Sequence, residues 1–82
     1  MEEKQIGKII HYFEKIGVAV VAVGGIMKSG DRIHIKGTHT DFTQSIGSMQ
    51  IEHKAIREAK AGQEIGFKVD QPVKEHDIVY SI

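Results

Sequence analysis

The stretch Gly25-Ile26-Met27-Lys28-Ser29-Gly30-Asp31-Arg32-Ile33-His34-Ile35 combines a turn signal with a strand signal. Gly30 stands where the backbone has to reverse, and Asp31 can accept hydrogen bonds from nearby backbone amides as the next strand starts. After this turn, apolar and polar residues alternate with a period of two, which is typical of a strand buried on one face. The stretch therefore predicts a turn followed by a half-buried strand over residues 31–36.

The rest of the chain continues this pattern in composition and spacing. Its 13 isoleucines and 7 valines, with no leucine, favour strands because β-branched side chains already have restricted χ1 freedom. Apolar runs are separated by clusters rich in Gly, Asp, Ser or Thr, which is the spacing of a small barrel or sandwich. We predict an all-β domain with strands near residues 5–13, 17–23, 31–36, 42–53, 63–69 and 77–82.

Two segments are ambiguous at this level. Residues 54–61 read Lys-Ala-Ile-Arg-Glu-Ala-Lys-Ala, a helical composition, and Gly62 would be a suitable C-terminal stop. So short a segment is a poor isolated helix, and we favour a connecting loop with at most one helical turn. Gly47 lies inside the predicted strand 42–53, where a glycine commonly marks a bulge or a sharp bend. We therefore predict that this strand is bent.

The quantities of the whole chain indicate one small domain without a strong electrostatic field. The 82 residues are enough for one core, and 11 Lys and Arg residues balance 11 Asp and Glu residues. The absence of cysteine excludes disulfides, thiolate metal sites and cysteine nucleophiles. The polar start at residues 1–5 and an apolar run confined to residues 18–23 favour neither a signal peptide nor a membrane span. We expect a single domain over residues 1–82, located in the cytoplasm.

Several stretches of the chain carry motifs in a shared order and spacing. Residues 25–35 contain Gly-Ile-hydrophobic-Lys-x-Gly-Asp, residues 61–67 read Ala-Gly-Gln-Glu-Ile-Gly-Phe, and residues 77–80 read Asp-Ile-Val-Tyr. Residues 6–10 and 17–21 supply two glycine-containing apolar segments before them. With these motifs, nearly the whole chain resembles the β-barrel second domain of elongation factor Tu and its relatives among the translational GTPases.

This resemblance implies both a fold and a class of partner. The fold is a six-stranded antiparallel Greek-key β-barrel, closed or nearly closed. In elongation factors the barrel helps to hold the aminoacylated end of tRNA, and in related factors it contacts ribosomal RNA, so RNA or the ribosome is the implied partner. A similar barrel is also appended to collagenase-like peptidases and associated tRNA-modifying proteins, where it does not carry the chemistry. No G-x-x-x-x-G-K-[S/T] phosphate loop is present, so we expect no nucleotide binding.

No set of residues indicates catalysis. The histidines, at positions 11, 34, 39, 53 and 76, have no i,i+4 pair and no thiolate companion for a metal. No serine lies in a G-x-S-x-G motif, and the carboxylates of Asp70, Glu75 and Asp77 lie at turn-like positions, where such residues cap and solvate. We expect no enzymatic activity, no metal and no cofactor, and the sequence does not determine the oligomeric state.

The best candidate for function is a set of polar side chains on the predicted strand 31–36. The period of two places the two isoleucines of this strand inside and sends Arg32, His34 and Lys36, which we call the polar stripe, outward. Arg32 offers a planar fork that suits phosphate, and Lys28 precedes the same strand. One hypothesis is that these four residues bind RNA or the ribosome. The alternative is an accessory domain that docks onto a separately encoded enzyme through an apolar patch or a strand edge. The stripe is also compatible with a solvated face that guards against aggregation.

Overall fold

The computed structural model describes residues 4–52 and 54–82, and every regular element in these ranges is a β-strand. The all-β prediction is therefore confirmed. Within the described residues, no helix has the length and apolar character needed to cross a membrane. The strands are β1 (Lys4–Phe13), β2 (Val18–Val23), β3 (Met27–Lys28), β4 (Arg32–Lys36), β5 (Asp41–Ser45), β6 (Met49–Ile51), β7 (Lys54–Ile56), β8 (Glu58–Ala59), β9 (Glu64–Lys68) and β10 (Ile78–Ser81).

Eight of the strands form one antiparallel sheet in the order β5-β4-β10-β1-β2-β9-β6-β7, and β3 pairs with β8 in a separate two-stranded sheet. The long strand β1 is central, because it pairs with β10 on one side and with β2 on the other. Its register shifts between Gln5 and Gly7 and again between Ile9 and His11. Such bulges bend a strand and increase its twist, so β1 can serve both halves of a strongly curved sheet.

The prediction of a closed six-stranded barrel is wrong. Over residues 4–52 and 54–82 the order of strands is open, and its end strands β5 and β7 are not paired with each other. The amide of the buried Gln44 side chain spans the gap between β5 and the chain after β9: it donates to the Lys68 carbonyl at 3.0 Å and accepts from the Asp70 amide at 2.8 Å. At this place, which we call the Gln44 seam, a side chain supplies the hydrogen bonds that a backbone ladder would supply in a closed barrel.

The predicted strand over residues 42–53 is divided at Gly47. β5 ends at Ser45 and pairs with β4, whereas β6 begins at Met49 and pairs with β7 and β9. The chain therefore does more than bend here: it turns a corner and changes partners, a role for which glycine is well suited. The last residue of the predicted strand, His53, lies outside the described residues.

The turn at residues 28–31 is hydrogen-bonded to this corner. Gly30 has a φ of +94°, and its amide donates to the Ile46 carbonyl at 2.8 Å. The Ile46 amide in turn donates to the Asp31 carbonyl at 2.8 Å. The Asp31 carboxylate accepts from the Lys28 amide at 3.1 Å, as the sequence predicts. Two segments that are distant in sequence thus fix each other's backbone.

Residues 54–61 contain the strands β7 and β8. The prediction of a connecting loop with at most one helical turn is therefore wrong. β7 pairs with β6, and β8 pairs with β3. Ala59 is fully buried in the core, and Ile56 packs against the core while partly exposed. Burial of these two side chains outweighs the weak helical propensity of their neighbours, because propensity is readily overridden by tertiary packing.

The core lies on the inner face of the curved sheet and is filled by side chains from most of its strands. Inward positions alternate with outward ones along β2, β4, β5 and β9. The largest fully buried side chains are Phe67, Ile9, Met27, Ile33, Ile35, Ile46, Met49, Ile65, Val21 and Val79. The packed interior leaves the outer surface as the place for a partner.

One carboxylate is buried beside this core. Asp77 is only 4% exposed, and its side chain accepts a hydrogen bond from the Lys74 amide at 2.9 Å. The carboxylate packs directly on Gly37, where an added Cβ would overlap it. The absence of a side chain at Gly37 therefore gives the buried carboxylate its space.

Candidate functional site

The polar stripe lies on the outer face of β4, as the sequence predicts. Ile33 and Ile35 are fully buried, whereas Arg32 and Lys36 are exposed and His34 is half-buried. The alternation arises because successive side chains of a strand point to opposite faces of the sheet.

Lys28, the fourth predicted residue, does not belong to this face. It lies on β3, in the separate two-stranded sheet, directly opposite Glu58 of β8. The structure thus brings three of the four predicted residues together on one strand and assigns Lys28 to another sheet.

The polar stripe is hydrogen-bonded to two polar residues of β5, one of which is an acid. An Arg32 guanidinium nitrogen donates to the Thr43 hydroxyl at 3.3 Å, and His34 Nε2 is hydrogen-bonded to an Asp41 carboxylate oxygen. Asp41 also lies opposite Lys36 in the pairing of β4 with β5. The hydrogen bond with His34 holds the pKa of the Asp41 carboxyl below its ordinary value, against an opposing desolvation and with help from the charges of His34 and Lys36. The stripe is a mixed polar surface rather than a bare cationic one.

The neighbouring strand β10 gives the stripe a partly apolar border. Tyr80 lies opposite His34, with the two ring centroids 6.3 Å apart, and Ile78 lies opposite Lys36. Base stacking on a single-stranded nucleic acid needs aromatic platforms, and Tyr80 is the aromatic residue next to the stripe on this strand. The polar stripe remains a candidate surface for binding a partner, and its exposed polar groups are the reason.

A second surface was not predicted from the sequence. An open groove of about 490 Å³, which we call the outer trough, runs along the outer face of β2 and β9 and is lined by Phe13, Ile16, Val18, Val20, Gln50 and Gly66. Other concavities share lining residues with it at both ends, so the depression continues from the β1–β2 turn to the region of residue 62. In the sequence, period-two alternation singled out only the strand over residues 31–36, which is not part of this face.

The outer trough is apolar at one end. The side chains of Phe13 and Ile16, in and beside the β1–β2 turn, are 45% and 62% exposed. Val18 and Val20 continue the apolar surface as half-buried residues along β2. Gly66 lies opposite Val20, and with no side chain of its own it leaves the floor open. Adjacent exposed apolar side chains in a groove are typical of a surface that binds a partner.

The other end of the outer trough is acidic. Glu52 and Glu64 line both the trough and the depression that continues it. Among the residues that the structure describes, neither carboxylate has an ion-pair partner. Two exposed carboxylates beside an apolar floor favour a ligand that combines apolar side chains with positive charge.

Among the histidines and serines that the structure describes, His11 and Ser29 make structural contacts away from the polar stripe. Over residues 4–52 and 54–82, no three His, Asp or Glu side chains converge as a metal site requires, and His53 lies outside these ranges. His11 Nδ1 is 3.6 Å from a Glu75 carboxylate oxygen, and its ring packs edge-on against Phe13 at 4.3 Å. The Ser29 hydroxyl donates to the Gly47 carbonyl at 2.9 Å, which ties the turn to the corner.

Comparison with known proteins gives one sequence relative. No protein-family model matches the chain. An uncharacterized protease of Methanocaldococcus jannaschii is 36% identical over 77 residues, which are 93% of this chain and 19% of the protease. The chain therefore spans about a fifth of the length of this relative.

Two crystal structures are similar over nearly their whole length. The C-terminal domain of a putative U32 peptidase from Geobacillus thermoleovorans matches with a TM-score of 0.91 and 23% identity, over 96% of this chain and 92% of that one. The selenomethionine variant of the same domain matches with a TM-score of 0.89 and 24% identity, over 93% and 96% of the two chains. The chain shares the fold of this domain.

These findings correct the resemblance to the second domain of elongation factor Tu. The similar proteins described above are an uncharacterized protease and the C-terminal domain of a putative U32 peptidase, not translation factors. The motifs in residues 25–35 and 61–67 encode turns and close approaches between strands, which small strand-rich domains of different families need alike. RNA or the ribosome as a partner loses its support together with the resemblance. The alternative was an accessory domain that docks onto a separately encoded enzyme, similar to the barrel appended to collagenase-like peptidases. Its accessory-domain part agrees better with these relatives.

Proposed function

We propose that this chain is an accessory, non-catalytic domain of a U32-type peptidase, which docks onto the catalytic part of such an enzyme. The observation that carries the proposal is the 36% identity to a stretch that makes up 19% of the Methanocaldococcus jannaschii protease. A segment of that size leaves about four fifths of the protease for the chemistry. The structural match to a domain described as the C-terminal domain of a peptidase supports the same role.

The arrangement of side chains is consistent with docking. The interior of the sheet is filled by its own side chains, and the outer trough and the depression that continues it are open grooves on the surface. Such a surface can bind another polypeptide, which needs an exposed apolar patch with a polar border. The polar stripe remains a second candidate contact for this protein partner.

The cytoplasmic location of the chain remains a prediction.

The experiment is a domain replacement in the Methanocaldococcus jannaschii protease. Three proteins are compared: the whole protease, the protease without the matched stretch, and a chimera in which this chain replaces that stretch. The readouts are the thermal midpoint and the hydrolysis of a fluorescently labelled denatured protein. We expect the deletion to lower both readouts and the chimera to restore most of the loss, because a docked domain stabilises the part that it contacts.

An unrelated β-domain of similar length, placed at the same position, is the control and should not restore either readout. A deletion protein that behaves like the whole protease would contradict the accessory role. Hydrolysis by the isolated chain would contradict its non-catalytic nature.

A further inference from the structure

We propose that the outer trough is the surface that docks, and that its occupant is an extended segment of the catalytic part that carries apolar side chains and at least one lysine or arginine. This inference rests on the proposed function and adds to it the contact surface and the chemistry of the partner. Three observations carry it: the shape of the floor, the length of the trough and the distribution of charge along it.

The floor of the trough fits apolar side chains from an extended strand. Val18 and Val20 alternate with inward-facing residues, so their side chains stand on the outer face with Gly66 beside them. A Cβ at Gly66 would lie 3.3 Å from Val18 Cγ1, so even a methyl group there would crowd the floor. The missing side chain leaves a depression between β2 and β9 into which a partner's side chain can insert.

The length of the trough sets the length of the occupant. It follows β2, which has six residues, and a strand rises by about 3.3 Å per residue, so the floor is roughly 20 Å long. An extended segment of five or six residues would cover it. In such a segment every second side chain faces the floor, so we expect two or three apolar residues in alternation.

The charges give the occupant a direction. The concavities at the Phe13 end contain two lysines, Lys15 and Lys68, and one carboxylate, Glu14, whereas the other end has Glu52 and Glu64. A partner with its cationic residue over the two glutamates and its apolar residues towards Phe13 is complementary along the whole trough. The reverse direction would bring the cation towards the lysines.

Two other exposed surfaces, the edge of β7 and the polar stripe, fit this occupant less well. The outer edge of β7 is only three residues long and begins with Lys54, a short and charged edge of the kind that discourages strand addition. The carboxylate beside the polar stripe, Asp41, is already hydrogen-bonded to His34. The outer trough combines exposed apolar side chains with carboxylates that form no ion pair with any residue in the described ranges.

Protection of an introduced cysteine tests the proposal. The chain has no cysteine, so a single one reports its own accessibility. Gln50→Cys places the reporter in the trough, and Ser45→Cys places it on the outer face of β5, opposite Arg32. Both positions are exposed in strands, which makes them a matched pair. Each variant is made in the isolated chain and in the chimera, and labelling by a maleimide is followed by mass spectrometry of the peptide concerned.

We expect labelling at position 50 to be at least about tenfold slower in the chimera than in the isolated chain, and labelling at position 45 to be equally fast in both. Glu64→Cys is a second reporter if Gln50→Cys alters the thermal midpoint. Unchanged labelling at position 50 would overturn the proposal, and so would protection at position 45 instead. Either outcome could be found in a chimera that restores activity. The labelling experiment can therefore contradict this inference while the proposed function still holds.

Charge reversal tests the chemistry of the occupant. In the chimera with Gln50→Cys, the additional changes Glu52→Lys and Glu64→Lys should return the labelling rate towards that of the isolated chain, because the partner's cation would meet like charge. The control is Glu58→Lys, an exposed carboxylate on β8 that does not line the trough. Protection that survives the double reversal would overturn a cationic occupant. Protection lost in the control as well would overturn a role specific to the trough.

Discussion

At the scale of single residues, the contact of Asp77 with Gly37 joins two positions that are far apart in the sequence. The Asp77 carboxylate needs both the space above Gly37 and the hydrogen bond from the Lys74 amide. A side chain at Gly37 would have to displace a buried carboxylate and break that hydrogen bond, and a buried polar group without its partner is costly.

We predict that Gly37→Ala lowers the free energy of unfolding by about 1–3 kcal/mol, the range typical of overpacking. Gly47→Ala is the matched control, because no atom lies within 4 Å of the added methyl group. It should change the free energy by no more than about 0.5 kcal/mol. Urea unfolding followed by circular dichroism measures both, and equal stabilities of the two variants would contradict the packing argument.

The hydrogen bond between Asp41 and His34 predicts a dependence of stability on acid pH. The folded-state pKa of Asp41 lies below its ordinary value of 3.8. The contribution of the ionised carboxylate is therefore fully present above that value and is lost as the pH falls through the lowered pKa. We expect the thermal midpoint of Asp41→Asn to fall less than that of the unmodified chain as the pH is lowered below about 4.

His34→Gln serves as the companion variant, because it removes the main cause of the lowered pKa while it retains the carboxylate. It should flatten the same part of the profile. If both variants follow the unmodified chain throughout, the interaction does not contribute to stability. Since Asp41 is well exposed, we expect the effect to be small and to weaken with added salt.

At the scale of elements, the sequence predicts those features of turns and strands that depend on residues adjacent in the chain. The turn at Gly30 and Asp31 and the alternation along β4 are local, and both are found. The pairing of β5 with β4, which brings Asp41 to His34, depends on a register that composition does not define. The strands β7 and β8 depend on the burial of Ala59 against distant residues, which a helical composition conceals.

The order of the strands predicts an order of backbone protection. Over residues 4–52 and 54–82, β1 and β2 are paired on both sides, whereas β7 is a short end strand with β6 as its one partner. We expect the amides of β7 to exchange with deuterium faster than those of β1 and β2, because exchange there needs only local opening.

The other end strand, β5, provides an internal comparison. The Gln44 seam and the corner at Gly47 hold it, so its amides should exchange more slowly than those of β7. Hydrogen exchange followed by mass spectrometry measures all four strands in one experiment. Equal exchange rates of the amides in β5 and β7 would indicate that the hydrogen bonds of the Gln44 side chain add little to the local stability of β5.

At the scale of the whole molecule, the two outer surfaces make different predictions for the chimera. We expect Phe13→Ser with Ile16→Ser to lower its thermal midpoint and hydrolysis, because these exposed side chains lose their contacts with the catalytic part. Arg32→Ala with Lys36→Ala should leave both readouts unchanged. The opposite pattern would assign docking to the polar stripe. The isolated chain with each pair of substitutions controls for a direct loss of stability.

The fold class was accessible from the sequence, but the closure of the sheet and the docking surface were not. β-branched residues and glycine-rich turns indicate strands whatever the final order. Closure depends on how β5 meets the chain after β9, and there one glutamine decides the contact. The outer trough arises from side chains of β1, β2, β6 and β9, which only the pairing of these strands brings together.

The Gln44 seam also has a mechanical consequence. Two hydrogen bonds from a single amide hold it, whereas neighbouring strands are joined by several backbone hydrogen bonds that would have to break together. A pulling force applied across the sheet would therefore be expected to part the molecule first at Gln44. The sheet would then unroll with its strand pairs intact, and on release a single side chain would have to find its partners again.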